Sequence, residues 1–327
     1  MSSNYRSLFG SNTELLPMLT RLKGITGFAT TLTTRRDHRA LVFNRFNHVS
    51  RVATLAAFIA NSLEIPTKPV LRIAWLHDLN RWPFAHNSER DIFSQADDAE
   101  AYFAQLIPAI AESEVADLVA LQRRNIGALS ISGLVTMVAD AVTGAIEDPL
   151  LLICGLNVHP NIVPKEISDL LGTQFQSKVF AQHLEVATRL LLDDRNGSRF
   201  GGHFDELFLI TFQNFLLEHN VVSNGALNST DAFHACKLIN HEFMQPIVFP
   251  INNDLVCHAS WLRMNVIHPL LRDSDSRIVR SMLSLNETSF VKQVLKSREF
   301  RDLRAKDFLP SIDAIEEHYP ELAFISV

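Results

Sequence analysis

The stretch RIAWLHDLNRWPFAHNSERD, residues 72–91, is an apolar helical run that ends in clustered histidine and carboxylate groups. The doublet His77-Asp78 closes the run, and a Pro-Phe turn follows before His86 and Glu89. Burying such polar groups is unfavourable unless they have partners, so packing alone gives little reason to place them together. The stretch therefore predicts a metal site at the end of a buried helix.

Helical spacing continues upstream of this stretch. Residues 49–63 repeat apolar side chains at three- and four-residue steps, which is typical of one face of a helix. Pro66 and Pro69 end that run. Residues 70–79 form a second predicted helix, which carries the His-Asp doublet near its C-terminal end.

Further helices are predicted downstream, as far as Pro149. One begins near His86 and extends to Ala99, and shorter ones cover residues 101–110 and 114–122. Residues 132–146 are apolar on nearly every side, as in a buried helix, except for Asp140. That acid, like the His-Asp doublet, has the chemistry of a metal ligand.

The C-terminal half continues as amphipathic helices. They are predicted at residues 167–192, 204–217, 231–244, 255–271, 276–295 and 312–318. Gly- and Pro-containing breaks separate them, and no alternating strand pattern of convincing length occurs. The sequence therefore predicts an all-α protein with three parts, namely an N-terminal segment (1–34), a catalytic core (35–150) and a helical region packed on it (151–327).

Composition limits the class of protein. With 47% hydrophobic and 20% charged residues, the 327-residue chain can bury a substantial core, which excludes global disorder. The net charge of −6 and the lack of a long basic run argue against a dedicated duplex-binding protein, although a nucleotide ligand stays compatible. Three widely spaced cysteines favour a reducing cytoplasm, and neither a signal peptide nor a membrane span is predicted.

Two imidazoles and two carboxylates, on His48, His77, Asp78 and Asp140, form a donor set suited to one divalent cation. Manganese, iron, cobalt, nickel, magnesium and zinc all accept such nitrogen and oxygen ligands. A metal-bound water has a lowered pKa and becomes a nucleophile near neutral pH. The alternative is that each histidine is a satisfied core residue and that Asp140 is a buried acid paired with an arginine.

These residues carry a family resemblance. HVSRVA from His48, the doublet and Asp140 resemble the H…HD…D signature of the HD-domain metal-dependent phosphohydrolases. HDLNRWPFAHNSE is similar to the HD-x-G-H-x-P-F-x-H-x-x-E run of the deoxynucleoside triphosphate triphosphohydrolases, the dGTPase-like branch. RFNHVSRVA resembles that branch's R-L-x-H-S-x-x-V, and VADAVTGAIED loosely resembles its A-D-D-I-A-Y segment. The resemblance covers about residues 35–150.

The resemblance implies an HD-domain helical bundle, extended here by the C-terminal helices. It implies one metal held by the four residues named above, and cleavage of a deoxynucleoside triphosphate to nucleoside and tripolyphosphate. His86 becomes the expected general acid or base, Glu89 its orienting partner, and Arg45 a phosphate ligand. The alternatives are a solvent-exposed histidine at a helix start for His86 and an ordinary first-turn helix acid for Glu89.

One departure concerns the pair Asn80-Arg81, which stands where the family has Gly-His. Arg81 would either bind phosphate as a fixed cation or lie solvated at the surface. The change leaves open a different substrate, such as a nucleoside monophosphate or a cyclic or linear phosphodiester. A nucleotidase, a phosphodiesterase and a non-catalytic nucleotide sensor are therefore alternatives, and a di-iron oxygenase of the same fold is a remoter one.

The C-terminal histidines are predicted to be structural or exposed, because no acid lies at ligand spacing from them. The set comprises His203, His219, His234, His241, His258 and His268. The apolar C-terminal helices are compatible with a homo-oligomer.

Overall fold

The computed structural model describes residues 15–25, 44–81, 95–107, 109–150, 153–154, 159–175, 177–193 and 198–248. The regular elements within these ranges are helices apart from one short hairpin, which confirms the all-α class. None of the helices in these ranges is long and apolar enough to cross a bilayer. The helices predicted at 255–271, 276–295 and 312–318 lie outside the described residues.

The chain divides into two compact units. Among the described residues, the first unit ends at Asp140 and the second begins at Ala141. The first unit contains α1 (Leu15–Arg21), a 3-10 turn (Leu22–Gly24), α2 (Arg45–Ser62), α3 (Thr67–Leu76), α4 (Gln95–Ala104), α5 (Glu112–Gln122), a 3-10 turn (Ile126–Ala128) and the start of α6 (Ile131–Leu150). The predicted three-part division of the chain stays a prediction.

Helix α2 packs against α3 to form the core of the first unit. Its side chains Val49, Val52, Ala56 and Ile59 are fully buried, in agreement with the predicted apolar face. Asn44 begins the helix, because its side chain accepts a hydrogen bond from the backbone N–H of Asn47 at 3.0 Å. The cap satisfies one of the backbone donors that lack a partner at the start of a helix.

Helix α3 ends at Leu76, earlier than the predicted end at residue 79. Residues 77–81, here called the site turn, leave the helix through tight hydrogen bonds from Leu79 N–H to Leu76 C=O at 3.0 Å and from Arg81 N–H to Asp78 C=O at 3.1 Å. The doublet therefore lies just beyond the helix. Local three-residue turn bonds replace the helical pattern there, which apolar periodicity does not reveal.

The second unit is also built mainly of helices. It contains α7 (Lys165–Leu170), α8 (Lys178–Asp193), α9 (Ser198–Glu218), α10 (Ser229–Ile239) and a wider, π-helical continuation (Asn240–Val248). The helix predicted over 167–192 is interrupted at Gly172, whose φ is +63°. A Cβ there would lie 3.0 Å from the Asn214 backbone, so both conformation and space favour glycine.

A hairpin of two-residue strands, β1 (Val222–Ser223) and β2 (Ala226–Leu227), follows α9. Asn224 and Gly225 both have positive φ, +51° and +71°, which is the signature of a type I′ turn. The predicted break at residues 223–225 is thus a tight turn. Strands this short give no alternating pattern in the sequence.

Candidate metal centre

Three elements of the first unit bring the predicted ligands together. Helix α2 carries His48, the site turn carries His77 and Asp78, and α6 carries Asp140. His48, His77 and Asp78 are buried, and one ligand atom from each lies within 4.8 Å of the others. The structure therefore gathers residues that are 29 and 63 positions apart in the chain, in agreement with the predicted proximity.

Asp140 completes the group through its Oδ1 atom. That oxygen lies 3.1 Å from His48 Nε2 and 3.5 Å from His77 Nε2. His77 Nε2 also lies 3.7 Å from Asp78 Oδ2. Ligands bound about 2.1 Å from a common ion are about 3 Å apart at right angles, so these separations are close to those of a shared coordination shell.

The tautomer of His77 follows from its surroundings. Its Nδ1 lies 2.7 Å from the Ala74 carbonyl oxygen, which can only accept, so Nδ1 carries the hydrogen. When the ring is uncharged it presents a lone pair at Nε2, a buried atom that has no hydrogen-bond partner among the described residues and lies 3.5 Å from an Asp140 oxygen and 3.7 Å from an Asp78 oxygen. This is the arrangement expected of a histidine whose second nitrogen binds a metal.

Asp78 lies between two buried arginines. Arg45 contacts Oδ2, and Arg81 Nη2 donates to Oδ1 at 2.6 Å. Burial disfavours the charged carboxylate, but the two guanidiniums hold the pKa of Asp78 well below its usual range. Arg81 is only 7% exposed, so the alternative of a solvated surface arginine is wrong.

Asp140 keeps 45% of its side chain accessible to solvent and contacts two histidines, unlike the alternative of a buried acid paired with an arginine. Desolvation by surrounding atoms favours its neutral form, but His77 and His48 hold the pKa of the carboxyl well below its usual range. Contact with solvent at the exposed part of this carboxyl group also stabilises its ionised form. Both acids of the group are therefore ionised at neutral pH, as metal ligands must be.

The site turn is held from outside by side chains that the sequence analysis did not identify. Gln122 of α5 donates to the His77 carbonyl, and Tyr102 of α4 donates to the Leu79 carbonyl at 2.9 Å. Arg21 of α1 donates to the carbonyls of Leu79 at 2.5 Å and Arg81 at 3.0 Å. No local pattern marks these donors, because they come from positions 23 to 60 residues away in the sequence.

A second pair fixes the side chain of Asn80. Its amide nitrogen donates to the Gln95 backbone carbonyl at 3.1 Å, and its amide oxygen accepts from the Gln95 side chain at 3.0 Å. Asn80 is 1% exposed. Asn80 therefore has a structural role, whereas Arg81 faces Asp78.

The residues present fit a divalent ion. Two imidazole nitrogens and two carboxylates converge, one imidazole lone pair is buried without another hydrogen-bond partner among the described residues, and the donor set is the nitrogen–oxygen type that first-row metals accept. His86 and Glu89, the predicted acid–base pair, lie outside the described residues, so their roles stay predictions.

Several described histidines of the second unit contact backbone carbonyls or are exposed at the surface. His203 Nε2 donates to the His183 carbonyl at 2.9 Å, and His219 Nε2 donates to the Leu170 carbonyl at 2.6 Å. His241 is exposed beside Glu242. These contacts agree with the predicted structural or surface roles.

The family model of the HD domain matches residues 45–145, less than a third of the chain. No curated protein matches the sequence. The matched segment contains His48, His77, Asp78 and Asp140, and it supports the HD-domain phosphohydrolase superfamily for this part of the chain. That family indicates a metal-dependent hydrolase, and the cluster of His48, His77 and Asp78 is able to hold the metal.

Proposed function

We propose that this chain is a metal-dependent phosphohydrolase that cleaves a deoxynucleoside triphosphate to nucleoside and tripolyphosphate. The observation that supports it most is the buried Nε2 of His77, which has no hydrogen-bond partner among the described residues and faces the carboxylates of Asp78 and Asp140. A neutral imidazole fixed by its other nitrogen is prepared to bind a cation. The HD-domain match over the same residues points to phosphoester hydrolysis.

In this proposal His48, His77, Asp78 and Asp140 hold one divalent ion. A divalent ion bound there would lower the pKa of a coordinated water molecule and so supply the nucleophile for hydrolysis near neutral pH. Arg45 and Arg81 offset phosphate charge, since both guanidiniums already lie at the site and are shielded from solvent. His86 transfers a proton to or from the reacting oxygens, and Glu89 orients its ring.

The Arg81 departure supports a second candidate within the same superfamily. An arginine where the resemblance expects histidine removes one proton donor and adds a permanent charge. A nucleotidase or phosphodiesterase then becomes the alternative reaction, and a nucleotide sensor becomes the non-catalytic one. Manganese as the ion, a homo-oligomeric state and a cytoplasmic location complete the proposal.

The test is incubation of the chain with a panel of nucleotides and manganese, with products separated by chromatography. Tripolyphosphate, pyrophosphate or orthophosphate as product identifies the bond that is cleaved. We expect tripolyphosphate from a deoxynucleoside triphosphate. Nucleotide binding without turnover across several metals would favour the sensor instead.

The site is tested by the double variant His77→Ala/Asp78→Ala, with metal content and phosphate release measured together. Both are expected to be lost. The matched control is His203→Ala/Glu206→Ala, a histidine–carboxylate pair 3.7 Å apart in the second unit, which is expected to keep both. Phosphate release that persists in the first variant would remove this site from the reaction.

A further inference from the structure

The Asp78 carboxylate has a cation at each oxygen. Arg81 Nη2 lies 2.6 Å from Oδ1, and Arg45 contacts Oδ2. The acid is 0% exposed, and the two arginines are 7% and 6% exposed. Few water molecules therefore reach these charges, so each guanidinium depends on Asp78 more than a surface arginine would.

Oδ2 is also the Asp78 oxygen that faces the proposed ion, because it lies 3.7 Å from His77 Nε2. Arg45 occupies that oxygen. A divalent ion and a guanidinium on one carboxylate oxygen repel each other at short range in a weakly screened site. Asp78 thus has two competing uses, as an arginine partner and as a metal ligand.

The named side chains are already neutral as a set, since Arg45 and Arg81 offset Asp78 and Asp140 in formal charge. A divalent ion adds two uncompensated positive charges. A phosphate group with two negative charges restores neutrality and gives both guanidiniums a new partner with the matching fork geometry. A phosphodiester, with one negative charge, restores only half of the balance.

We propose that the metal ion and a phosphate ligand with at least two negative charges, on one phosphate or on adjacent phosphates of a polyphosphate, bind this site cooperatively, because Arg45 and Arg81 hold Asp78 until the phosphate draws them away. The inference rests on the proposed function, and it specifies the substrate class as a phosphomonoester or polyphosphate rather than a diester. Linkage makes the effect reciprocal, so the metal strengthens phosphate binding by the same factor.

Arg81 is placed to make this exchange by side-chain rotation alone. Its backbone N–H bonds to the Asp78 carbonyl at 3.1 Å, and its own carbonyl accepts from Arg21 at 3.0 Å. The main chain at this position is therefore fixed at both ends of the residue. The guanidinium is able to move from Asp78 to an incoming oxyanion while the turn keeps its conformation.

The experiment is a manganese titration of the full chain at pH 8 and constant ionic strength, followed by electron paramagnetic resonance of free Mn²⁺. It is done with no added anion, with inorganic phosphate and with dimethyl phosphate, each corrected for manganese–anion complexes in protein-free solution. Phosphate is expected to raise manganese affinity about 5- to 150-fold, the usual range of binding coupling, and dimethyl phosphate much less.

The variant Arg81→Gln is expected to bind manganese more tightly than the wild type without anion, and to lose most of the phosphate effect. Arg81→Lys keeps the charge without the fork and is expected to retain more of the coupling than Arg81→Gln. Both are compared with His203→Ala, which is expected to titrate as the wild type does.

The outcomes separate this inference from the proposed function. Manganese bound at a site that His77→Ala removes, with the same affinity with and without phosphate, overturns the cooperative exchange alone. The absence of manganese binding under all three conditions overturns the metal-dependent function and the inference with it. Equal coupling for phosphate and dimethyl phosphate overturns the assignment to a doubly charged group.

Discussion

The two units use buried or half-buried histidines in different ways. In the first unit, one nitrogen of His77 donates to a backbone carbonyl and the other faces Asp78 and Asp140. In the second unit, His203 and His219 also donate to carbonyls, but no buried carboxylate among the described residues lies beside them; Glu206, near His203, is 62% exposed. A carbonyl contact therefore fixes a ring, and what faces its second nitrogen decides whether it belongs to a site.

The largest effect is expected for Asp78→Asn, at the carboxylate that His77 faces in the first unit. The substitution removes the charge that two buried arginines share, and an unpaired buried charge typically reduces the free energy of unfolding by about 3–5 kcal/mol. Denaturant titration followed by circular dichroism measures the loss. The control, Glu206→Gln, changes an exposed partner of His203 and should stay within about 0.5 kcal/mol.

The same variant has a pH signature. Because the pKa of Asp78 is lowered in the folded protein, its contribution is fully present above the unfolded-chain value of about 3.9 and is lost as the pH falls through the lower folded value. Stability of the wild type should thus fall below about pH 4. Asp78→Asn should lose less over that interval, and parallel curves for the two proteins would contradict the assignment.

A smaller effect is expected from a change that loosens the site turn without altering a proposed metal ligand. Arg21→Ala removes charge-assisted hydrogen bonds to the carbonyls of Leu79 and Arg81, for an expected loss of about 1.5–3 kcal/mol in unfolding free energy. Manganese affinity should fall as well, because the turn positions His77 and Asp78. Arg123→Ala, at an exposed ion pair with Glu100, is the matched control and should change neither quantity measurably.

The conservative variant Arg21→Lys distinguishes a role of Arg21 in positioning the metal ligands from a role in stability alone. Arg21→Lys keeps one donor and should recover part of the manganese affinity, whereas a purely structural role would restore stability alone. Manganese affinity equal to that of the wild type in Arg21→Ala would show that the site turn keeps its shape without this donor.

The smallest expected effect concerns the second unit. His219→Ala removes one hydrogen bond, to the Leu170 carbonyl, and the ring contact with Phe215, so a loss of about 1 kcal/mol is expected. Manganese binding should be unchanged. A change in metal stoichiometry here would mean that the second unit also holds an ion, and the contrast between the two sets of histidines would fail.

Sequence patterns predicted many of the helices and the proximity of His48, His77 and Asp78. The apolar steps of α2 placed His48 on a buried face, and the doublet together with Asp140 pointed to a shared cluster. Periodicity could not place the end of α3, because turn hydrogen bonds at residues 77–81 are made without any change in hydrophobic pattern. It also could not divide residues 167–192, where one glycine with positive φ ends a helix.

Long-range contacts account for the rest. From the sequence, Arg81 could be either a phosphate ligand or a surface residue. Its burial depends on how α1 and α2 pack around the site turn, and its position three residues after Asp78 does not reveal that burial. Gln122 and Tyr102 donate to the site turn from α5 and α4, 45 and 23 positions away. Such donors become visible only once the helices are packed.

The N-terminal helix has a practical consequence for where a working fragment of this protein must begin. Leu15, Leu19 and Ile25 are almost completely buried, and the Ile25 carbonyl accepts from the Arg45 backbone N–H at 2.8 Å. All of these residues precede the segment that matches the HD domain. A fragment that started at the family boundary would remove Arg21, the donor to the Leu79 and Arg81 carbonyls, and would expose apolar side chains of the first unit. Expression boundaries should therefore be drawn upstream of Leu15.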